Sequence, residues 1–354
     1  MKAFVVHELT NPSKITLTKD WPVPTLKKGH VMVDVYSAGL NFFDHKGGIK
    51  RNLLFHSSWA PSLREKCLMA FLFQQVCDPL TFSLSINRSE HFKGCSLKPG
   101  DRVFGAVLGS FADKVAVPVT AVMPLPDSLT FDQGAGLFTT WPTSYEALVS
   151  RAKLQPGEWV LVTAAAGGVG IAAVQLAKGL GAKVIAAAGS QEKLDIAKKY
   201  GGADYTVDYT KKGWQQEVLK ITNGKGADVI FDPVGMIADC LKCIAWKGRA
   251  LVVGFAAGTV EKVPMNLVLL KNISLVGIFW GGYLVKEPEH MPSVYKAVLD
   301  LLTSGRVSLP VIYKEVYTLD NLADGLHALE TRKTWGKAIV KVKEEEPRAE
   351  KAKL

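Results

Sequence analysis

The chain has little cysteine. Five residues in 354, an odd number at spacings that form no framework, exclude a disulfide-built scaffold and fit a reducing compartment. No apolar stretch reaches membrane-spanning length without charges, so no membrane span is expected. The opening Met1-Lys2-Ala3-Phe4-Val5-Val6-His7 reads as a first strand and lacks the apolar centre of a signal peptide. The formal charge is +10, yet no basic run is interleaved with aromatics, so nucleic acid is not required as a partner. The excess reads as a solvated surface that helps a polyanionic cofactor approach. No Ser/His/Asp, Cys/His or paired-carboxylate arrangement offers hydrolytic chemistry. One long stretch also lacks glycine, from Gly48 to Gly94.

What is present is a two-domain composition, 48% hydrophobic and 21% charged, with one unit that carries chemistry. Trp159-Val160-Leu161-Val162-Thr163 is a short buried strand. Ala164 to Gly170 is a glycine turn, and Ile171 to Lys178 is a helix. From Ala165 the turn reads A-x-G-x-x-G, a near match to the dinucleotide fingerprint with Ala in place of its first Gly. Gly167 lets backbone approach a pyrophosphate, Gly168 and Val169 lie between, and Gly170 lets helix pack on strand. The helix amides then face the phosphates.

Lys183 to Ala188 reads as the second parallel strand. NAD enzymes end it on an Asp or Glu, about 20 residues past the glycines, to hold the ribose 2′-hydroxyl. Here stands Ala188-Gly189-Ser190, with Lys193 one turn on. No carboxylate repels a 2′-phosphate there, which favours NADPH over NADH. Ser190 also reads as the cap of a helix over 191–200, and both roles are compatible.

The first ~125 residues read as β-rich, with strands at 3–6, 15–17, 31–38, 102–106 and 111–117. From Thr139 onward strands and helices alternate: helix 214–222, strand 229–232, helix 236–245, strand 250–254, strand 273–279, then helices near 291–303 and 322–331 and a strand over 335–342. That alternation means a parallel sheet with helices on both faces.

These segments resemble the zinc-independent quinone oxidoreductase branch of the medium-chain dehydrogenase/reductase family. The resemblance rests on Ser37-Ala38-Gly39-Leu40-Asn41-Phe42-Phe43-Asp44, Lys98-Pro99-Gly100-Asp101-Arg102-Val103, Ala165 to Gly170 with Gln175, Asp228 to Gly235, and Val252-Val253-Gly254-Phe255-Ala256. It covers 1–44 and 94–342. It implies an α/β chain in which a doubly wound Rossmann domain (129–266) is inserted in a GroES-like β-rich catalytic domain (1–128). An edge strand and the return to the catalytic domain follow at 267–342, and a charged, disordered tail at 343–354. By position, the resemblance implies that Thr140 sits against the nicotinamide. Gly189, Ser190, Lys193 and Tyr209 surround the 2′-phosphate, and Val253, Gly254 and Phe255 border the ribose and nicotinamide. Phe279 and Trp280 wall the cleft, and Lys337 reaches the cofactor. Tyr209, Phe255 and Phe279 have a core-packing reading as well.

Zinc relatives need a Gly-His-Glu and four close cysteines. Cys67, Cys77 and Cys95 are 10 and 18 residues apart, no Gly-His-Glu occurs, and Cys240-x-x-Cys243 has no second pair, so no metal is expected. Residues 45–93 depart from the family pattern. They read either as a lineage-specific lid or as sequence that is not authentic coding, and the abrupt return at Gly94 favours the second, leaving a catalytic domain without part of its barrel. The expected function is hydride transfer from NADPH to a quinone, enone or other α,β-unsaturated carbonyl, with Asn41 polarising the acceptor. The alternative is an NADPH-binding protein with little turnover. The apolar edge strand at 269–279 is a liability unless it is paired or covered, and the resemblance implies pairing with its twofold mate, hence a homodimer. The terminal Ala352-Lys353-Leu354 is close to the peroxisomal Ser-Lys-Leu address, so import receptor and peroxisome stand beside cytosol.

Overall fold

The computed structural model describes residues 1–4, 17–27, 29–41, 80–89, 97–107 and 110–345. Cys67, Cys77, Cys95 and the terminal Ala352-Lys353-Leu354 lie outside them. The chain divides into two compact units: Met1–Phe138 with Lys314–Lys333 and Ala338–Leu354, and Thr139–Tyr313 with Thr334–Lys337.

The second unit is a six-stranded sheet in the order Tyr205–Asp208, Lys183–Ala188, Trp159–Val162, Ala227–Asp232, Ile244–Val252, Ser274–Gly277. All neighbours pair in parallel. Numbered along the chain this is 3-2-1-4-5-6, the doubly wound dinucleotide-binding order, whose direction reverses between Trp159–Val162 and Ala227–Asp232. The central strands Trp159–Val162, Lys183–Ala188 and Ala227–Asp232 are buried along nearly all their length, as strands covered by helices on both faces are. Leu161, Ile185, Val207, Ile230 and Ala250 form one core cluster with Trp214 and Val218 of the helix Trp214–Ile221.

The first unit holds a seven-stranded sheet in the order Ile312–Thr318, Lys337–Lys341, His30–Gly39, Leu80–Ser89, Arg102–Val107 and Val122–Pro124, with Lys114–Pro118 also paired to His30–Gly39. Val31, Val33, Val35, Val103, Val115 and Val117 fill its interior. Leu80–Ser89 runs antiparallel between His30–Gly39 and Arg102–Val107, so the expectation of a barrel lacking 45–93 is corrected for these residues. The signal was legible: Leu80-Thr81-Phe82-Ser83-Leu84-Ser85-Ile86 alternates apolar and polar with the period of a strand.

Other boundaries move. The expected division at 128/129 falls at 138/139. Thr130 and Gln133 form a capping box that starts the helix Phe131–Leu137, and this helix packs on the first unit's strands. Residues 267–313, expected to lead back to the catalytic domain, stay with the Rossmann unit as far as Tyr313, because the helix Met291–Thr303 packs on the helix Thr140–Tyr145. The expected helix 236–245 is a single α turn, Ile237–Cys240, and a 3-10 turn, Leu241–Cys243, after which Ile244 already begins a strand. The expected strand 273–279 ends at Gly277, and Trp280–Lys286 is helical. The expected strand over 111–117 begins only at Lys114. The charged tail is tethered at its start: Lys343 lies over the Tyr36 ring and Glu345 meets Arg102 at 3.2 Å.

Candidate functional site

The chain leaves the Trp159–Val162 strand and turns at Ala164, whose φ is 45°, with the Gly167 amide bonded to the Ala164 carbonyl at 2.8 Å. The left-handed residue of the turn is therefore Ala164, one position before the Ala expected to replace the first glycine. The helix begins at Gly168, three residues earlier than expected, and runs to Gly179. Its N-cap, Gly167, makes no side-chain cap, and its first turn contains no acid, so neither a cap nor a first-turn carboxylate competes there for an anion.

Around this helix start the second unit brings together three distant segments. A Cβ on Gly168 would meet the Gly336 carbonyl oxygen and Thr140 Cγ2, both at 3.3 Å, and Lys337 Cδ at 3.9 Å. Thr140 and Lys337 are both buried, as is Ser144, whose hydroxyl donates to the Val169 carbonyl at 2.9 Å. The Gly336 amide bonds the Ala166 carbonyl at 2.7 Å, and the Lys337 amide bonds that of Val311 at 2.9 Å. A Cβ at Gly336 would stand 2.6 Å from the Val311 oxygen, so the position holds glycine at φ 55°. Thr140, the glycine loop and Lys337 are thus one constellation.

A second group forms where Lys183–Ala188 ends. Ser190 caps the helix Gln191–Lys199, accepting from the Lys193 amide at 3.4 Å. A Cβ on Gly189 would be 3.2 Å from the Tyr209 ring and 3.4 Å from Thr210 Cγ2, so Gly189, Ser190, Lys193 and Tyr209 are neighbours. A carboxylate is closer than expected: Asp208 lies across from Ala188 in the sheet. It is occupied, accepting from the Thr210 hydroxyl at 2.6 Å and amide at 2.9 Å, bonds that hold its carboxyl below the usual aspartate range.

Val253, Gly254 and Phe255 follow the strand next to Ala227–Asp232, and the Val253 amide bonds the Asp232 carbonyl at 2.9 Å. Phe255 and Tyr209 are half-buried. Phe279 and Trp280 do not act as a pair. Phe279 is 58% exposed, which removes its core reading, and its ring lies where a Cβ on Gly282 would come within 2.6 Å. Trp280 is 6% exposed and stacks on Tyr283 at 5.2 Å and edge-on to Tyr295 at 5.9 Å, so its ring is held by packing.

Asn41 belongs to the first unit. It is buried, two positions past the His30–Gly39 strand, and its amide group donates to the Gly39 carbonyl at a long 3.4 Å. The preceding Leu40 is fixed by an amide bond to the Ala338 carbonyl at 2.9 Å and by Gly325, where a Cβ would be 2.8 Å from Leu40.

Sequence reasoning missed three carboxylates. Glu146 is buried and accepts from Ser150 at 2.7 Å, Tyr283 at 2.9 Å and His290 at 3.0 Å. It opens a π-helical stretch, Glu146–Arg151, directly after the helix Thr140–Tyr145 that carries Thr140. Burial raises its carboxyl, but the three hydrogen bonds outweigh burial and leave it below the ordinary glutamate range. The Tyr283 phenol is pushed up to about 12, first by burial and then by its bond to Glu146. Asp232 and Glu261 gather the backbone amides of residues 234–238. For Asp232 the Asx-turn pattern Asp-Pro-Val-Gly was a usable signal. For Glu146 and Glu261 no local signal exists.

With this geometry in view, similarity to known proteins is decisive. A sea anemone protein (Nematostella vectensis), a quinone oxidoreductase-like protein 2 homolog, is 39% identical over 71% of this chain and 70% of its own length. The chain belongs to the quinone oxidoreductase-like branch of the medium-chain dehydrogenase/reductase family. The rat quinone oxidoreductase-like protein 2 is another member, 32% identical over 97% of this chain and 92% of its own length. Among solved structures, the quinone oxidoreductase of Thermus thermophilus, reported with its NADPH complex, is 28% identical over 97% of this chain and all of its own, with a TM-score of 0.72. A family model described as zinc-binding dehydrogenase matches residues 168–304. That stretch holds two cysteines, Cys240 and Cys243, both buried and free, and burial pushes the Cys243 thiol up to about 12 and raises Cys240 as well. Among the described residues no three His, Cys, Asp or Glu side chains are grouped to hold a metal, and no helix is long and apolar enough to cross a membrane.

Proposed function

We propose that this oxidoreductase binds NADPH at the Gly167–Gly170 turn and delivers its hydride, without zinc, to a quinone, an enone or another α,β-unsaturated carbonyl. The observation that carries the reading is the constellation at Gly168. An uncapped helix start lies beyond the carboxyl end of the first parallel strand, at the reversal of strand order, with Thr140 and Lys337 packed against it. The residues fit the group. A Cβ at Gly170 would collide with the Ala164 oxygen, so only glycine lets the helix start so close to the turn, and Ser190, Lys193 and Tyr209 offer a donor, a cation and a ring for a 2′-phosphate and its nucleoside.

NADPH supplies the hydride from its nicotinamide; the chain supplies position. Gly167 to Gly170 would hold the pyrophosphate with backbone amides, with Thr140 and Lys337 toward the nicotinamide and Val253 to Phe255 toward its ribose. Asn41 would donate a hydrogen bond to the acceptor oxygen as negative charge develops on it. Phe279 is an exposed aromatic that an acceptor ring could meet. Stopped-flow oxidation of NADPH by quinones, enals and enoyl thioesters tests the reading, and no turnover with any class overturns it. The alternative, an NADPH-binding protein idle because 45–93 is altered, loses ground to the pairing of Leu80–Ser89.

The same reading makes the protein a homodimer. Ser274–Gly277 is an edge strand, and nearby Leu269 and Leu270 are 80% and 67% exposed, an apolar border that a second copy would cover. The location stays cytosol or peroxisome, the second if Ala352-Lys353-Leu354 is read as an import signal. An amino-terminal fluorescent fusion that stays diffuse with or without Leu354 removes the peroxisomal alternative.

A further inference from the structure

Two carboxylates take up five consecutive backbone amides at the end of Ala227–Asp232. Asp232 accepts from Val234 at 3.1 Å, Gly235 at 3.0 Å and Met236 at 2.6 Å. Glu261 accepts from Ile237 at 2.6 Å and Ala238 at 2.7 Å, one amide on each oxygen. The two differ in origin. Asp232 closes a local turn onto its own successors. Glu261 arrives from the far end of the loop that follows Ile244–Val252, the loop that begins with Val253, Gly254 and Phe255.

That loop is laced to residues 232–235 along its first half. The Val253 amide bonds the Asp232 carbonyl at 2.9 Å, and the Ala256 and Ala257 amides bond Pro233 and Val234, each at 3.0 Å. The backbones are as close as side chains permit: a Cβ on Gly254 would be 3.2 Å from the Pro233 oxygen, and one on Gly235 would be 3.2 Å from both the Phe255 ring and the Thr259 oxygen. Gly258 then turns the chain at φ 88°. Glu261 ties the second half back to the segment that Asp232 orders. A carboxylate suits this place, because two anionic oxygens match two adjacent amides at the start of the Ile237–Cys240 turn.

We propose that Glu261 is a positioning residue for the nicotinamide-ribose side of the cofactor site. By holding the Ile237 and Ala238 amides it sets the path of residues 253–259, and so the place of Val253, Gly254 and Phe255. The proposal rests on the NADPH reading above. It predicts that the two halves of the cofactor depend on Glu261 unequally, since Ser190 and Lys193 stand on other elements.

The full chain, as wild type, Glu261→Gln and Glu261→Ala, tests it by hydrogen–deuterium exchange and by fluorescence titration with NADPH and with 2′-phospho-AMP, which lacks the nicotinamide ribose. Glu261→Ala should speed exchange at 237–238 and at 253–259. It should weaken NADPH about tenfold, the scale of losing charge-assisted hydrogen bonds, and leave 2′-phospho-AMP unchanged. Glu261→Gln, which keeps one accepting oxygen, should fall between, and it carries the same comparison if the alanine variant does not fold. Unchanged exchange at 253–259, or equal weakening of both ligands, overturns the proposal and leaves Glu261 a plain structural cap. Failure of the wild type to bind either ligand overturns the cofactor reading and the proposal together, and the wild-type titration alone reveals that case.

Discussion

A Cβ at Gly170 would stand 2.3 Å from the carbonyl oxygen of Ala164, which is itself turned to φ 45°. Both atoms belong to backbone, so neither can swing aside. Gly170→Ala should destabilise the protein by about 2–3 kcal/mol, the overpacking range, and remove the rise in thermal midpoint that NADPH confers. Ala164→Gly should stabilise it by about 1 kcal/mol, because a left-handed residue with a Cβ is strained. Thermal denaturation of each variant, with and without NADPH, measures both.

Lys193 should distinguish the two nicotinamide cofactors. Lys193→Ala is expected to weaken NADPH by about tenfold, the worth of one charged hydrogen bond, and to leave NADH where it was. Fluorescence titration with each cofactor decides it. Equal losses would mean that Lys193 does not meet the 2′-phosphate.

The Glu146 hub should make stability depend on pH. Its carboxyl lies below the ordinary 4.5 in the folded protein. A carboxyl lowered on folding adds stability that is fully present above 4.5 and is lost as pH falls through the folded value. Glu146→Gln should cost about 2 kcal/mol at neutral pH and flatten the decline below pH 4.5. Urea denaturation across pH 3–7 (about the range in which carboxylates titrate) reports it, and parallel curves for the two proteins would show that Glu146 is not the group responsible.

Asn41→Ala should lower kcat about a hundredfold, the scale of a lost oxyanion donor, with the NADPH dissociation constant unchanged. Stopped-flow rates set beside a cofactor titration separate the two quantities. A variant that turns over as fast as the wild type removes Asn41 from the chemistry.

Sedimentation should find a dimer at micromolar concentration, because the Ser274–Gly277 strand has a neighbour on one side only. A monomer under those conditions removes the second copy from the account of that edge.

Local chemistry determined much of the nucleotide unit. Trp159 to Gly170 is readable because strand propensity, small residues and helix formers succeed one another within a few positions, and each acts on its neighbours. Ser190 as a cap and the alternating sheet follow for the same reason. The same logic was available at Leu80–Ile86, where the apolar–polar alternation already marks the strand that completes the sheet of the first unit.

Tertiary structure alone decided which distant groups meet. Lys337 reaches Gly168 because Gly336 fits between the Val311 and Ala166 carbonyls. Glu146 finds Tyr283 and His290 at sequence separations of 137 and 144, and Glu261 crosses 24 and 23 positions to two amides. Phe279 and Trp280 are adjacent aromatics of equal promise in sequence, yet the short helix that begins at Trp280 turns one outward and the other inward. Periodicity and capping act over a few residues, whereas a buried carboxylate is paired only after packing has placed its donors, which is why these partners were not legible before the fold.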